Sequence, residues 1–380
     1  ARTEAGRAFF EREADRLARC CHRMAERFAR GGRLIALGAT PAARSDARHV
    51  AVEFVHPVIV GKRALPALAL TAEGGALADQ LAAAAEPDDI VIAFGGGEAR
   101  NLLASARERG CMTIGFDAGA GEWDFPPPGD EPAIRQELTE TLYHLLWELV
   151  HVFFEHRGLL EGRTAGPKHD SGASSFLYPF LDEGEHGLEG VISDVRGSAL
   201  TKAREVGELR ERTLAGNAER LAACAVEIRA RLDAGGRVLA FGNGGSATDA
   251  MDVVADLRAL GRRAIDLTED TGIVTALAND VGVARVFQRQ VIAHGRDGDV
   301  ALAFSTSGGS ANVLEALAEA RRLGLLTVAM VGYGGGQVAS EGVAERVIVV
   351  PSQHVPRIQE AQASAYHVLC ELIGPAGGGA

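Results

Sequence analysis

The chain has 380 residues, of which 47% are apolar and 24% are charged, and its formal net charge is -12. This length is enough for two domains of ordinary size, each with its own core. The acidic balance argues against a nucleic-acid surface, which would need a basic stripe. A phosphorylated small molecule remains compatible with it, because backbone amides and hydroxyl groups can hold a phosphate without cationic side chains.

The cysteines and the apolar runs indicate the cellular compartment of the protein. Five scattered cysteines show neither metal-binding spacing nor a disulfide framework, which fits a reducing compartment. No apolar run reaches the roughly 18 residues that a membrane span needs, and no signal peptide is visible. We therefore expect a cytoplasmic protein that binds neither nucleic acid nor membrane.

Strand-like and helix-like segments alternate along residues 1–156. A helix over 5–30 should end at Gly31-Gly32. The strands that follow are predicted at 34–37, 67–70, 90–94 and 113–116. Helices are predicted between them at 44–56, 75–85 and 98–109, and a long helix over 134–156 comes last. Strands separated by helices of 10–15 residues indicate a parallel sheet covered on both faces.

A second alternating set follows residues 157–190, which we interpret as a linker because they show little periodicity. Its predicted elements are helices over 194–233, strands at 238–241, 264–267, 300–304, 327–331 and 347–350, and a helix over 356–373. The fold prediction is α/β, with domains at 1–156 and 191–380. Each domain should be a five-stranded, doubly wound parallel sheet of the flavodoxin-like type, flanked by helices.

The two halves are internal repeats. Residues 30–34 correspond to residues 234–238, and residues 89–94 correspond to residues 299–304. The series Gln136, Tyr143, His144 recurs with identical spacing in the last predicted helix, as Gln359, Tyr366 and His367. The first half is therefore predicted to be a diverged copy of the second.

Two glycine-rich loops follow predicted strands of the second half, at residues 242–246 and 305–310. Glycine lets the backbone approach a ligand, and the helix N-terminus behind each loop offers unpaired N–H groups to an anion. Ordinary turns with a capping serine are the alternative for one such loop. Two loops after neighbouring strands favour a phosphorylated small molecule.

Four motifs of this half resemble the phosphoheptose isomerases of the SIS (sugar isomerase) family. They are GNGGSATDAMDVVADL, LANDVGVARVF, STSGGSANVLEAL and RIQEAQASAYHVLCEL. The resemblance covers about residues 194–373 and implies two tandem SIS domains. It also implies aldose–ketose isomerisation of a phosphosugar such as sedoheptulose 7-phosphate. Because SIS domains also act as sugar-phosphate sensors and interaction modules, a non-catalytic binding protein is the alternative.

The resemblance further implies the residues that contact the substrate. The expected set is Asn243, Gly244, Gly245, Ser246, Asp280, Ser305, Thr306, Ser307, Ser310 and Gln359. The first half lacks equivalent phosphate loops. Gly38-Ala39-Thr40-Pro41 replaces the first loop, and Pro41 has no N–H to donate. The second loop is shortened to Gly95–Glu98, whose carboxylate would repel phosphate.

The family isomerases hold zinc with a histidine and a glutamate four residues apart on one helix, and a glutamine and a histidine eight apart on the last helix. The first half carries all four residue types, as His49, Glu53, Gln136 and His144. The second half carries Asp252, Asp256, Gln359 and His367. The resemblance thus implies zinc at the first-half set, whereas a solvated i, i+4 pair is the alternative for His49 and Glu53.

The family's acid–base pair is the glutamate and the second histidine, so the catalytic candidates are Glu53 or Asp256 with His367 or His144. We expect complementary halves, in which the first supplies acid–base and metal groups and the second holds the phosphate. The alternative is decay to a site that binds without turnover. Family sites lie where subunits meet, and we expect a homodimer of chains, a pseudo-tetramer of SIS domains.

Overall fold

The computed structural model describes residues 2–58, 62–116, 119, 121–155 and 187–376. The chain divides into two compact units, Ala1–Gly207 and Glu208–Ala380. Helix α6 (Leu188–Asp233) contains the boundary between them. Most of the predicted linker lies outside the described residues, and the predicted domain limits stay a prediction.

The first unit has helices on both faces of a five-stranded sheet. Its elements before α6 are α1 (Arg2–Ala29), β1 (Leu34–Gly38), α2 (Ala43–Val55), β2 (Ala67–Thr71), α3 (Leu77–Ala84), β3 (Ile90–Phe94), α4 (Gly96–Glu108), β4 (Met112–Gly115), β5 (Trp123–Asp124) and α5 (Pro132–Glu155). Alternate residues of β1 enter two different cores, because successive side chains of a strand point to opposite faces.

The second unit repeats this plan after α6. Its elements are β6 (Val238–Phe241), α7 (Gly245–Ala259), β7 (Ala264–Asp266), α8 (Thr271–Asp280), α9 (Val286–His294), β8 (Val300–Ser305), α10 (Ala311–Arg322), β9 (Leu326–Val331), α11 (Gly336–Ser340), β10 (Arg346–Val349) and α12 (Val355–Ile373). Val238 and Leu239 of β6 likewise enter separate cores. The predicted α/β fold with two five-stranded sheets is confirmed.

The two sheets have the same topology. All described strand pairs are parallel, in the orders β2-β1-β3-β4-β5 and β7-β6-β8-β9-β10. The strand order reverses beside β1 and β3 in one sheet, and beside β6 and β8 in the other. Ligands of open α/β sheets bind at this switch point, beyond the carboxyl ends of the strands.

Equivalent side-chain contacts also recur in both units. The backbone N–H of Arg33 donates to Asp89 at 2.8 Å, and that of Arg237 donates to Asp299 at 3.0 Å. Tyr143 packs edge-on against Phe94, and Tyr366 packs in the same way against Phe304. These contacts support the predicted internal duplication. Among the described helices, none has the length and apolar character that a membrane span requires.

Candidate functional site

The two glycine-rich loops of the second unit lie at its switch point. They follow β6 and β8, which pair directly with Phe241 opposite Ala303. Helix α7 begins at Gly245, within the first loop, and α10 begins at Ala311, directly after the second. Two helices therefore begin at one sheet edge, and the positive ends of their dipoles favour an anion there.

A reciprocal amide pair connects these loops. The side chain of Asn243 donates to Asn312 at 2.9 Å, and that of Asn312 donates back at 2.8 Å. Paired amides satisfy both side chains and fix the separation of the two turns. Sequence reasoning did not single out Asn312, although its polar side chain in the first turn of α10 was an available signal.

The serine-rich loop is held in shape by its own hydroxyl groups. Ser305 accepts a hydrogen bond from the N–H of Gly308 at 3.2 Å, and Ser307 accepts one from Gly309 at 3.2 Å. Gly308 has φ +62°, and a Cβ there would lie 2.5 Å from the carbonyl oxygen of Gly335. The turn thus requires glycine, because the left-handed conformation and the close backbone both exclude a side chain.

The other predicted phosphate contacts differ in exposure. Ser246 is buried in the first turn of α7, and Thr306 and Ser310 are half-buried, whereas Ser307 is exposed. Asp280 is the last residue of α8 and is exposed. It accepts a hydrogen bond from Asn279 at 2.8 Å. The structure therefore places the hydroxyls of both loops at one edge and leaves Asp280 open to solvent.

Acidic and imidazole groups of α7 and α12 meet in the same unit. Nε2 of His367 lies 3.8 Å from Oδ2 of Asp256, and the hydroxyl of Tyr366 donates to Asp252 at 3.1 Å. Burial raises the pKa of Asp256, and the nearby His367 partly opposes this rise. The Asp256 side chain is 36% exposed, so it is accessible as a proton acceptor. Gln359 is buried, and its Oε1 has no hydrogen-bond partner within the described ranges.

A buried carboxyl group on α7, Asp249, leads to a prediction about pH. Burial, with Asp252 nearby, holds the pKa of Asp249 well above its usual range. Between the unfolded pKa of about 3.9 and this higher folded value, the native state keeps a proton that the unfolded state has lost. The free energy of unfolding should therefore fall as pH rises through that window, by up to about 1.4 kcal/mol per pH unit.

Urea unfolding of the wild type and of Asp249→Asn between pH 4 and pH 8 measures this effect. The amide is neutral at every pH, so the variant should lose this part of the slope and gain stability relative to wild type as pH rises. Identical slopes in both proteins would contradict the assignment.

The first unit holds a buried cluster of histidine and carboxylate groups. Nε2 of His49 on α2 lies 3.2 Å from Nε2 of His144 on α5, and 3.8 Å from Oε1 of Glu53. Nδ1 of His49 lies 3.1 Å from the hydroxyl of Tyr143. Ligand atoms of His49, Glu140 and His144 all lie within 4.8 Å of one another. The predicted His49, Glu53 and His144 thus lie together.

Glu140 is the member of this cluster that sequence reasoning missed. It lies on α5 one turn after the half-buried Gln136 and one turn before His144. The spacing of four residues was a usable signal, because i, i+4 side chains share one helical face. The residues present fit a metal ion, since imidazole nitrogen and carboxylate oxygen both suit zinc.

Electrostatics favour the ligand form of His49. Burial, together with the adjacent His144, holds the pKa of His49 well below its ordinary value. His49 is therefore neutral at physiological pH, which is the form that binds metal through a ring nitrogen. Its Nδ1 faces Tyr143, so Nε2 is the nitrogen directed towards His144 and Glu53.

The first-unit loops at the equivalent edge have different chemistry. The N–H of Ala39 donates to the carbonyl of Phe94, and Thr40 Oγ1 accepts from the N–H of Ala43 at 3.2 Å. Glu98 is exposed in the first turn of α4. The backbone N–H groups of Ala39 and Ala43 are thus already paired within the unit, and the Glu98 carboxylate lies in the loop that follows β3.

Comparisons with known proteins agree with this architecture. The SIS domain family model matches residues 203–332. The phosphoheptose isomerase of Desulfovibrio desulfuricans is 44% identical over 176 residues, which is 45% of this chain and 83% of the relative. That of a Geobacter species is 48% identical over 146 residues, 37% of this chain and 75% of the relative. The chain therefore belongs to the SIS family. The relatives it resembles are phosphoheptose isomerases.

One solved structure extends the likeness to the first unit. The C-terminal domain of glucosamine-fructose-6-phosphate aminotransferase from Francisella tularensis matches with a TM-score of 0.65 and 8% identity. The match covers 98% of this chain and 92% of that chain. At this identity it shows the fold alone, and it is consistent with two tandem SIS domains.

Proposed function

We propose that this protein is a phosphosugar aldose–ketose isomerase that acts on sedoheptulose 7-phosphate or a closely related sugar. The observation that carries the proposal is the pair of loops at the β6 and β8 ends, connected by Asn243 and Asn312. Homology to phosphoheptose isomerases supports the sugar class.

The loops suit a phosphate that must also be released. Hydroxyl groups and helix N-termini bind through dipoles, so they hold a dianion without a full counter-charge. Ser246 and Ser305 are buried, and Ser305 accepts a hydrogen bond from Gly308, whereas Ser307 is exposed to a ligand in solution. A bound phosphate would fix one end of the sugar and so restrict the orientations of its carbonyl end.

Isomerisation moves one proton between neighbouring carbons of the sugar. A carboxylate base removes the proton from the carbon beside the carbonyl, while an imidazolium protonates the carbonyl oxygen to give the enediol. The reverse transfers on the other carbon complete the reaction, with no net loss of electrons. We propose two base–acid pairs, Glu53 with His144 in the first unit and Asp256 with His367 in the second. His144 can donate a proton only while it holds no metal ion, because a coordinated ring nitrogen carries no proton.

Asp256 is the second candidate for the base. It is more exposed than Glu53, whose side chain is only 1% exposed, and it lies 3.8 Å from His367. Its side chain is one methylene shorter than the glutamate that the family resemblance implies, and a misplacement of about 1 Å can reduce a rate about 100-fold. Glu53 therefore remains the first choice.

A metal ion fits the first-unit cluster, where His49, Glu53, Gln136 and His144 would hold it. Zinc bound there would supply a Lewis acid for the sugar carbonyl. His49 is held in orientation by Tyr143, as ligand histidines usually are by an outer partner. The homodimer expected from the sequence stays a prediction.

A non-catalytic phosphosugar-binding protein is the second candidate function. The second unit keeps the phosphate loops but has Asp252 and Asp256 where the family isomerases carry histidine and glutamate. It therefore lacks a full-length base of its own, which favours a binding protein. Binding would then persist without turnover.

Calorimetry with sedoheptulose 7-phosphate tests the phosphate site. We expect about one site per chain, because the first-unit loop Gly95–Glu98 has no hydroxyl and Pro41 removes an N–H donor from the other first-unit loop. Ser307→Ala should weaken binding by about 3- to 10-fold, the loss of roughly one net hydrogen bond. Thr40→Ala removes a hydroxyl from the first-unit loop that follows β1, so it is the control and should bind like wild type. Two equivalent sites per chain, or equal losses of affinity in both variants, would refute the hypothesis that only the second unit binds the phosphate.

A further inference from the structure

Helix α5 presents three polar side chains in one stripe. Gln136, Glu140 and His144 are spaced by four residues, so they lie on the same face. Glu140 is 4% exposed and His144 is fully buried. A glutamate buried beside two imidazole groups needs a compensating charge or hydrogen-bond donors.

Glu140 is not part of the pattern that the two halves share. Gln136 and His144 recur in the second unit as Gln359 and His367, but the residue equivalent to Glu140 is Ala363. Ala363 is buried in α12, where its methyl group joins an apolar core. The carboxylate is therefore specific to the first unit, which also keeps the histidine pair.

The geometry of the cluster is close to that of a metal site. Zinc bonds to nitrogen and oxygen ligands are about 2.0–2.2 Å, so two ligand atoms of a tetrahedral site lie about 3.4 Å apart. The Nε2 atoms of His49 and His144 are 3.2 Å apart. With Glu140 included, the separations reach at most 4.8 Å, which small side-chain rotations can close.

We propose that Glu140 is a direct ligand of a divalent transition-metal ion in the first unit, together with His49 and His144. With Glu53 beside His49, the site then contains two carboxylates, which balance the charge of a divalent ion. The ligand set His49, Glu53, Gln136 and His144, without Glu140, carries only one carboxylate. The added carboxylate should therefore increase retention of the ion and make it a weaker Lewis acid.

This inference deepens the metal part of the proposed function, but the donor set alone carries it. The test therefore measures metal binding without sugar. The full-length chain is stripped with a chelator, dialysed with zinc and analysed for metal content, and its affinity is measured by competition with a chromophoric chelator. We expect about one ion per chain in the wild type.

Glu140→Gln keeps the size of the side chain and removes its charge. We expect it to weaken zinc binding at least about 10-fold, because even outer-shell substitutions cost about 10- to 100-fold. The absorption bands of the cobalt(II)-loaded protein should also shift, since a ligand atom changes. Glu137→Gln is the matched control, because Glu137 is a buried carboxylate of the same helix that pairs with Arg2 at 3.0 Å. It should bind zinc like wild type.

His144→Ala should abolish binding and so locate the ion. Circular dichroism confirms that each variant is folded. Wild-type zinc affinity and cobalt spectrum in Glu140→Gln would overturn the proposal, as would a wild type that binds no zinc. A protein that binds zinc through Glu140 but isomerises no phosphosugar would refute only the proposed function.

Discussion

Glu53→Gln should abolish isomerisation while leaving the affinity for the phosphosugar nearly unchanged. Glutamine has the same length as glutamate but cannot accept the proton, and a general base contributes about 10²- to 10⁴-fold to a rate. The phosphate contacts of the second unit are untouched, so the loss should appear in kcat and not in binding. The rate is measured by coupled assay of the aldose product, and binding by calorimetry.

Two controls make this result specific. Asp256→Asn should be milder than Glu53→Gln, because Asp256 lacks the full-length side chain. Zinc content must be measured in both variants, since Glu53 lies 3.8 Å from a metal-ligand candidate, His49. A fully active Glu53→Gln variant with an inactive Asp256→Asn variant would place the chemistry wholly in the second unit.

Gly242→Ala should have the second large effect, on phosphosugar binding and on stability. A Cβ at Gly242 would lie 2.3 Å from the carbonyl oxygen of Ser246, at the start of α7. The backbone of the first phosphate loop must then move, which should lower the free energy of unfolding by about 1–3 kcal/mol. A loss of similar size in binding corresponds to about 10- to 100-fold weaker affinity.

Gly97→Ala is the matched control in the first-unit loop. A Cβ at Gly97 meets nothing within 4 Å, and the residue lies in the first turn of α4. It should keep wild-type affinity and be equally or slightly more stable, because alanine has the higher helix propensity. Urea unfolding and calorimetry compare the two variants. Wild-type affinity in Gly242→Ala would contradict the assignment of this loop to the phosphate.

Much of the fold could be predicted from local sequence patterns. The spacing of apolar residues identifies helices and strands, and glycine pairs such as Gly31-Gly32 mark where helices end. Both signals are contained within a short segment of sequence. Strand β5 was missed, since Trp123–Asp124 is only two residues long and carries no apolar alternation. Its pairing with β4 depends on tertiary contact, which no local pattern indicates.

The candidate site likewise has parts that local sequence predicts and parts that depend on tertiary contact. The loop residues Ser305–Ser310 were predicted because glycines and hydroxyls occur within one short segment. The Asn243–Asn312 pair joins segments 69 residues apart, and the meeting of His49 with Glu140 joins α2 to α5. Such contacts follow from how helices pack on the sheet, so sequence spacing could suggest their residues but not their partners.

We propose that this chain moves a proton between neighbouring carbons of a phosphosugar bound at the second-unit loops. Nuclear magnetic resonance of sedoheptulose 7-phosphate in D₂O measures this directly. The wild type should exchange deuterium into the position beside the carbonyl and form the aldose. At the same sugar concentration Glu53→Gln should do neither, and Gly242→Ala should do both more slowly. Binding without any deuterium exchange in the wild type would contradict the account and identify a non-catalytic binding protein.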